Sequence, residues 1–175
     1  MLQYIDDGDC LTLDGMSIPK DPGNRHYDEA LAAVEAGEAE ILPAPGPTLN
    51  TVAAAKLAAI QAEKCWVRDG GFVVDGVLFD SDQSARISYT ELALKLSADP
   101  TFTTPWKASA GAWVTMDAPK YVEVSTLGGA HIQAVFAWQA ARDAEVLAIL
   151  AAVAAGTMTE AEARTALEAV SEQFV

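Results

Sequence analysis

Residues 68–82 read RDGGFVVDGVLFDSD, and the reading of this stretch decides the fold. Asp75-Gly76 sits between two short β-branched and aromatic runs. That is the signature of a two-residue type I′ hairpin turn, whose central residues both need positive φ. Phe72–Val74 and Val77–Phe79 are therefore expected to pair as a small antiparallel hairpin, entered through a turn at Asp69-Gly70-Gly71. An isolated two-stranded hairpin is marginal in water, so the flanking segments must cover it.

Both flanks read as helices. Upstream, residues 51–67 contain no Gly or Pro and are rich in Ala, Leu, Lys and Gln, a composition of high helix propensity. Thr48 or Asn50 supplies the N-cap. Downstream, FDSDQSARISYTEL (79–92) offers two readings. Counted from Asp80, oxygen-bearing side chains fall at positions 1, 3, 5, 9 and 12 (Asp80, Asp82, Ser84, Ser88, Glu91), the pattern of an EF-hand calcium loop. That loop needs an entering helix and a glycine at position 6; here a strand enters and position 6 is Ala85. Position 7 is Arg86, whose charge opposes a cation. The better reading is a helix over 83–97 launched off the hairpin. Asp80 or Asp82 caps it, with Ser81 or Ser84 helping to satisfy the first amides.

Further along, Trp106-Lys107 and Ala112–Met116 are expected to form two short strands joined at Ser109–Gly111. Asp117 with Pro119 starts a helix that runs to about Leu127 and breaks at Gly128-Gly129. A longer helix follows over 130–155, then a last one over 158–173 behind Thr157-Met158-Thr159-Glu160, which reads as a capping box. Near the N-terminus, Leu2–Ile5 and Cys10–Leu13 suggest a hairpin-like pair, Asn24 caps a short helix to Ala36, and PAPGP (43–47) reads as a linker. The expected fold is α+β and mainly helical, with a small β-hairpin element between helices and a helical C-terminal part. Two domains are expected: an acidic N-terminal module at 1–47 and a helix/hairpin/helix domain at 48–175.

Charge narrows the function. The net charge is −14. Residues 1–50 carry ten acidic and two basic side chains and residues 51–175 carry fifteen and nine, so acidity is densest at the front. Such a surface repels phosphates and anionic lipid, which argues against nucleic-acid and membrane partners. The first residues lack the basic start and apolar run of a secretory leader, so synthesis in the cytoplasm is expected. Cys10 and Cys65 form no CxxC pair, and His26 and His131 make no ligand cluster with them. With no nucleophile elbow and no phosphate cradle, we expect no catalytic residue, no cofactor and no metal. The residues most suited to function are the four tryptophans, Trp66, Trp106, Trp113 and Trp138, as core fillers or as anchors of a protein contact.

The hairpin Phe72–Val74, Gly76, Phe79, Asp80, Asp82, Ser84, followed by Trp106-Lys107 and Trp113, resembles a domain of unknown function found in tailed-bacteriophage tail and tail-fibre-associated proteins. The resemblance covers roughly residues 52–155. The stretch MSIPKDPGNRHYDEALAAVEAGEAEILP (16–43) is similar to the front of fibre and fibre-assembly proteins. The resemblance implies a non-enzymatic virion tail protein whose partners are other tail or fibre proteins and copies of itself, with a trimer as the expected count. It also implies an alternative, an assembly chaperone capping the trimeric fibre tip. It carries no catalytic residue.

Overall fold

The computed structural model describes residues 1–174. The chain divides into two compact units, Met1–Pro47 and Thr48–Val175, each with its own core.

The first unit is a four-stranded sheet with one helix. Strands β1 (Leu2–Asp6), β2 (Cys10–Leu13) and β3 (Met16–Pro19) run antiparallel in sequence order. Asp14 and Gly15 join β2 to β3 with φ of 49° and 82°, the geometry of a type I′ turn. Helix α1 (Arg25–Glu35) is capped by the Asn24 side chain, which accepts from the His26 N–H. Strand β4 (Ala39–Pro43) then returns parallel to β1, giving the order β3-β2-β1-β4. Tyr4, Leu11, Ile18, Ala30 and Ala39 form the core. Only the β1–β2 pairing is anticipated by the sequence. Ser17 and Pro19 dilute β3, and the prolines from Pro43 onward mask a strand whose identity comes from β1 beside it.

The second unit begins with α2 (Leu49–Asp69), capped by Thr48, and enters the hairpin β5 (Phe72–Val74) and β6 (Val77–Phe79). Its register is Phe72↔Phe79 to Val74↔Val77, with Asp75 and Gly76 at φ 49° and 77°. Helix α3 (Gln83–Ala98) follows, then the hairpin β7 (Thr104–Lys107) and β8 (Trp113–Met116), joined through a 3-10 turn at Ser109–Gly111. The chain is therefore α+β and mainly helical.

Helix α4 (Ala118–Ala154) is 37 residues long, about 55 Å at ~1.5 Å per residue. It corrects the expected division into two helices, because it continues unbroken through Gly128 and Gly129. The reason is packing. A Cβ at Gly128 would lie 2.6 Å from Cζ of Phe72, so the missing side chain makes room for the hairpin instead of ending the helix. Two cores line this rod. Phe72, Val74, Phe79, Leu92, Leu96, Met116 and Val124 join the hairpins and α3 to its first half. Ala53, Ile60, Val146, Leu167 and Val170 join α2 and the last helix, α5 (Glu160–Ala169), to its second half.

Helices α2 and α4 run antiparallel, pinned at Val67–His131 and Gln61–Gln139 by hydrogen-bond distances of 3.0 and 2.8 Å. Helix α5 is shorter than the expected 158–173, and its capping box lies two residues on from the expected Thr157–Glu160: the Thr159 hydroxyl accepts from the Glu162 N–H while the Glu162 carboxylate accepts from the Thr159 N–H. After it the chain leaves helical geometry and lies along α2. Lys56 Nζ pairs with Glu172 at 2.7 Å, the Phe174 N–H donates to Glu63 at 3.2 Å, and Phe174 meets Trp138 edge-on.

Candidate functional site

The turn from β6 into α3 gathers most of the singled-out residues. Asp82 is the N-cap of α3, and its carboxylate accepts from the Ala85 N–H at 2.7 Å. The Asp80 carboxylate faces the other way and accepts from the Ser109 hydroxyl, tying this turn to the β7–β8 connection. The Asp80 carbonyl accepts from the Tyr89 hydroxyl at 3.0 Å. Tyr89 stacks on Trp106 with ring centroids 5.1 Å apart. Burial, and then the Asp80 charge, push the Tyr89 phenol up to about 12. Asp80, Asp82, Ser84, Tyr89, Trp106 and Lys107 thus line one polar hollow. Ser84 is exposed in the first turn of α3 and takes no part in the cap bond; its carbonyl accepts from the Ser88 hydroxyl.

Ser81 works in the opposite direction from a cap of α3. It is 2% exposed, and its hydroxyl accepts from the Gly71 N–H while donating to the Arg68 carbonyl. One hydroxyl therefore satisfies two backbone groups left over where α2 ends. Arg86, the residue that argued against a calcium loop, turns back to donate to the Ser81 carbonyl and to Asp69. Asp69 is also held by Arg68 through two hydrogen bonds of 2.8 and 2.7 Å. The Arg68 bonds are the largest cause of a lowered Asp69 carboxyl, opposed by burial and reinforced by Arg86, and it falls to about 2. Beside this network lies a mostly apolar cleft of about 240 Å³, walled by Phe72, Val124, Gly128 and Ile132 with Arg86 and Gln133 contributing polar groups.

The four tryptophans separate into two kinds. Trp106 and Trp138 are partly buried and pack against the two cores. Trp66, in the last turns of α2, is 73% exposed, and Trp113, at the start of β8 opposite Lys107, is 66% exposed. Sequence alone does not separate the pairs, because each indole sits in a segment rich in small or apolar residues. Tyr89 and Ser109 carry as much of the local structure as the singled-out residues do. Tyr89 and Ser109 act through partners distant in sequence, which no local motif reveals.

His131 points its Nε2 at the Val67 carbonyl and stacks on Phe72, so it joins α4 to α2. Cys10 and Cys65 are free thiols. Among the described residues no group of three His, Cys, Asp or Glu side chains is placed to hold a metal ion, and no helix is long and apolar enough to cross a membrane. A family model described as a domain of unknown function (DUF4376) matches residues 51–170. No curated protein and no solved structure matches the chain.

Proposed function

The chain belongs to the family described as a domain of unknown function (DUF4376), and we propose that this member is a structural protein of a bacteriophage tail, baseplate or tail fibre that acts through protein–protein contacts. The observation that carries this reading is the pair of tryptophans left in solvent, Trp66 and Trp113, at 73% and 66% exposure. An indole is the side chain most enriched at the energetic centres of protein interfaces, where its large apolar body is removed from water. The exposed Val73 and Leu78 on the outer face of the first hairpin, and Leu94 on α3, extend the apolar surface. The tail setting comes from the motif resemblance of the hairpin and the Trp106–Trp113 strand pair.

Peptide mapping of purified phage particles and of detached tails tests this. Peptides of the chain are expected in washed tails at a fixed ratio to the fibre or baseplate proteins. Finding the chain bound to fibre protein in infected-cell lysate but missing from particles would replace this reading with that of an assembly chaperone. Absence from both would end it.

A further inference from the structure

Lys64 is 8% exposed, yet its ammonium has no carboxylate or carbonyl partner among the described residues. It stands over the ring of Phe136, 5.6 Å from the centroid. Its aliphatic stem lies in the α2–α4 seam while the charged end still reaches the surface, where it is free to meet an anion on a partner. Phe136 is itself 42% exposed, so the pair looks outward. It does so from the flank of the α2–α4 pair opposite Trp138, against whose ring Phe174 lies edge-on. Two residues along a helix are about 200° apart around its axis, which puts Phe136 and Trp138 on nearly opposite sides.

Phe136 belongs to a line along α4 at alternating four- and three-residue steps: Gly129, Gln133, Phe136, Ala140, Asp143 and Leu147. Such residues share one helix face. Leu147 is 56% exposed. Asp143 is the one charge on the line and has no ion-pair partner among the described residues. In a chain of net charge −14, residues 124–141 carry no Asp, Glu, Lys or Arg. This face is therefore one on which two copies can meet without the repulsion that the rest of the surface imposes.

We propose that a second copy of this chain docks here, α4 antiparallel against α4, with Lys64 of each copy meeting Asp143 of the other. The face carries its own complement, which is the requirement of a two-fold contact: if one residue touches another, the reverse contact follows. Phe136, which marks the level of Lys64, and Asp143 are two turns apart, about 10.5 Å along the axis. A two-fold axis midway between them, at Gln139 and Ala140, brings each level opposite the other. The methyl of Ala140 lets the backbones approach at the crossing. The partner chemistry is thus a carboxylate on a helix flanked by apolar and small residues, which the chain itself supplies.

Sedimentation velocity of the full chain tests the docking. The unaltered chain is expected to form a dimer as concentration rises. Lys64→Glu and Asp143→Lys each weaken it about tenfold or more, and the double variant recovers most of the loss. Ala140→Glu, at an exposed position, abolishes the dimer while leaving the circular-dichroism melting curve in place, which guards against a Lys64 variant that fails to fold. A chain that stays monomeric to its solubility limit, Asp143→Lys and Ala140→Glu variants that dimerise as well as the parent, or a folded double variant no better than the singles would each overturn the proposal. The inference builds on the reading of this chain as a contact protein but fails separately from it. A monomer found in tails removes only the dimer, and a dimer absent from tails and from fibre complexes removes only the tail assignment.

Discussion

The ring of Phe72 lies against the backbone of Gly128, so closely that a Cβ on Gly128 would come within 2.6 Å of Cζ and 2.9 Å of Cε1. The neighbouring Gly129 faces open space, with nothing within 4 Å of where its Cβ would be. Both glycines are in the interior of α4, where each costs about 1 kcal/mol of helix propensity relative to alanine. The two positions therefore respond to the same change with opposite sign. Gly129→Ala is expected to stabilise the second unit by up to about 1 kcal/mol. Gly128→Ala is expected to destabilise it by about 1–2 kcal/mol, because overpacking costs more than the propensity gain returns. Urea denaturation of the two variants reads the difference. Equal signs would mean that Phe72 is not what requires a glycine there.

Ser81 is the second such pivot. Replacing it with alanine leaves the Gly71 N–H and the Arg68 carbonyl without their shared partner in a site 2% exposed. The expected loss is about 1–3 kcal/mol, the cost of stranding buried polar groups. Ser84→Ala, in an exposed position of the same turn, is expected to change stability by about 0.5 kcal/mol or less. Thermal melts of the pair measure this, and similar losses at both positions would remove the distinction between bridge and bystander.

These two residues also show how far the sequence can be read. The hairpin at 72–79, an aspartate cap at Asp80 or Asp82 and a helix beginning at Gln83 are written in local chemistry: an Asp-Gly turn, an N-cap acceptor, a stretch of good helix formers; which aspartate caps is settled only by the Ser109 contact that takes Asp80 away. The continuity of α4 is not, because a Gly-Gly pair looks like a helix break until the ring that needs the space is known. The strand β4 is not, because a parallel partner lying more than thirty residues upstream makes it a strand. Asp80, Asp82, Ser84 and Trp106 are recognisable as residues of interest one by one. Their shared hollow depends on the Ser109 and Tyr89 contacts, which connect residues 29 and nine positions apart.

The tryptophans divide in a way that mutation can expose. Trp66 and Trp113 are expected to tolerate alanine with stability changes of about 0.5 kcal/mol or less, as surface positions do. Trp106→Ala removes the stack on Tyr89 and the packing against the first core. It is expected to cost about 3 kcal/mol, towards the lower end for truncating a large aromatic because Trp106 is only partly enclosed. Equilibrium unfolding gives the stabilities, and co-purification with tail or fibre protein gives the contact. Loss of co-purification in Trp66→Ala or Trp113→Ala with unchanged unfolding marks an interface residue. Unfolding losses at Trp66 and Trp113 as large as that at Trp106 would return both indoles to the core.

Asp69 makes stability depend on pH in a window its own titration defines. Its carboxyl lies at about 2 in the folded chain, against 3.8 for the ordinary side chain, with the Arg68 hydrogen bonds the largest cause. A depressed carboxyl contributes stability that is fully present above the unfolded value and is lost as pH falls through the folded one. Asp69→Asn should therefore melt below the parent at neutral pH. The gap should begin to close near pH 4 and shrink to a small remainder near pH 2, where about half of the parent's carboxylates are protonated. Because Asp69 and Arg86 are each 36% exposed, added salt should shrink the neutral-pH gap through screening. Melting curves of parent and variant across this range, at low and high salt, measure it. A gap that stays constant down to pH 2 would show that Asp69 holds the α2 end by shape and hydrogen bonding alone and not through its charge.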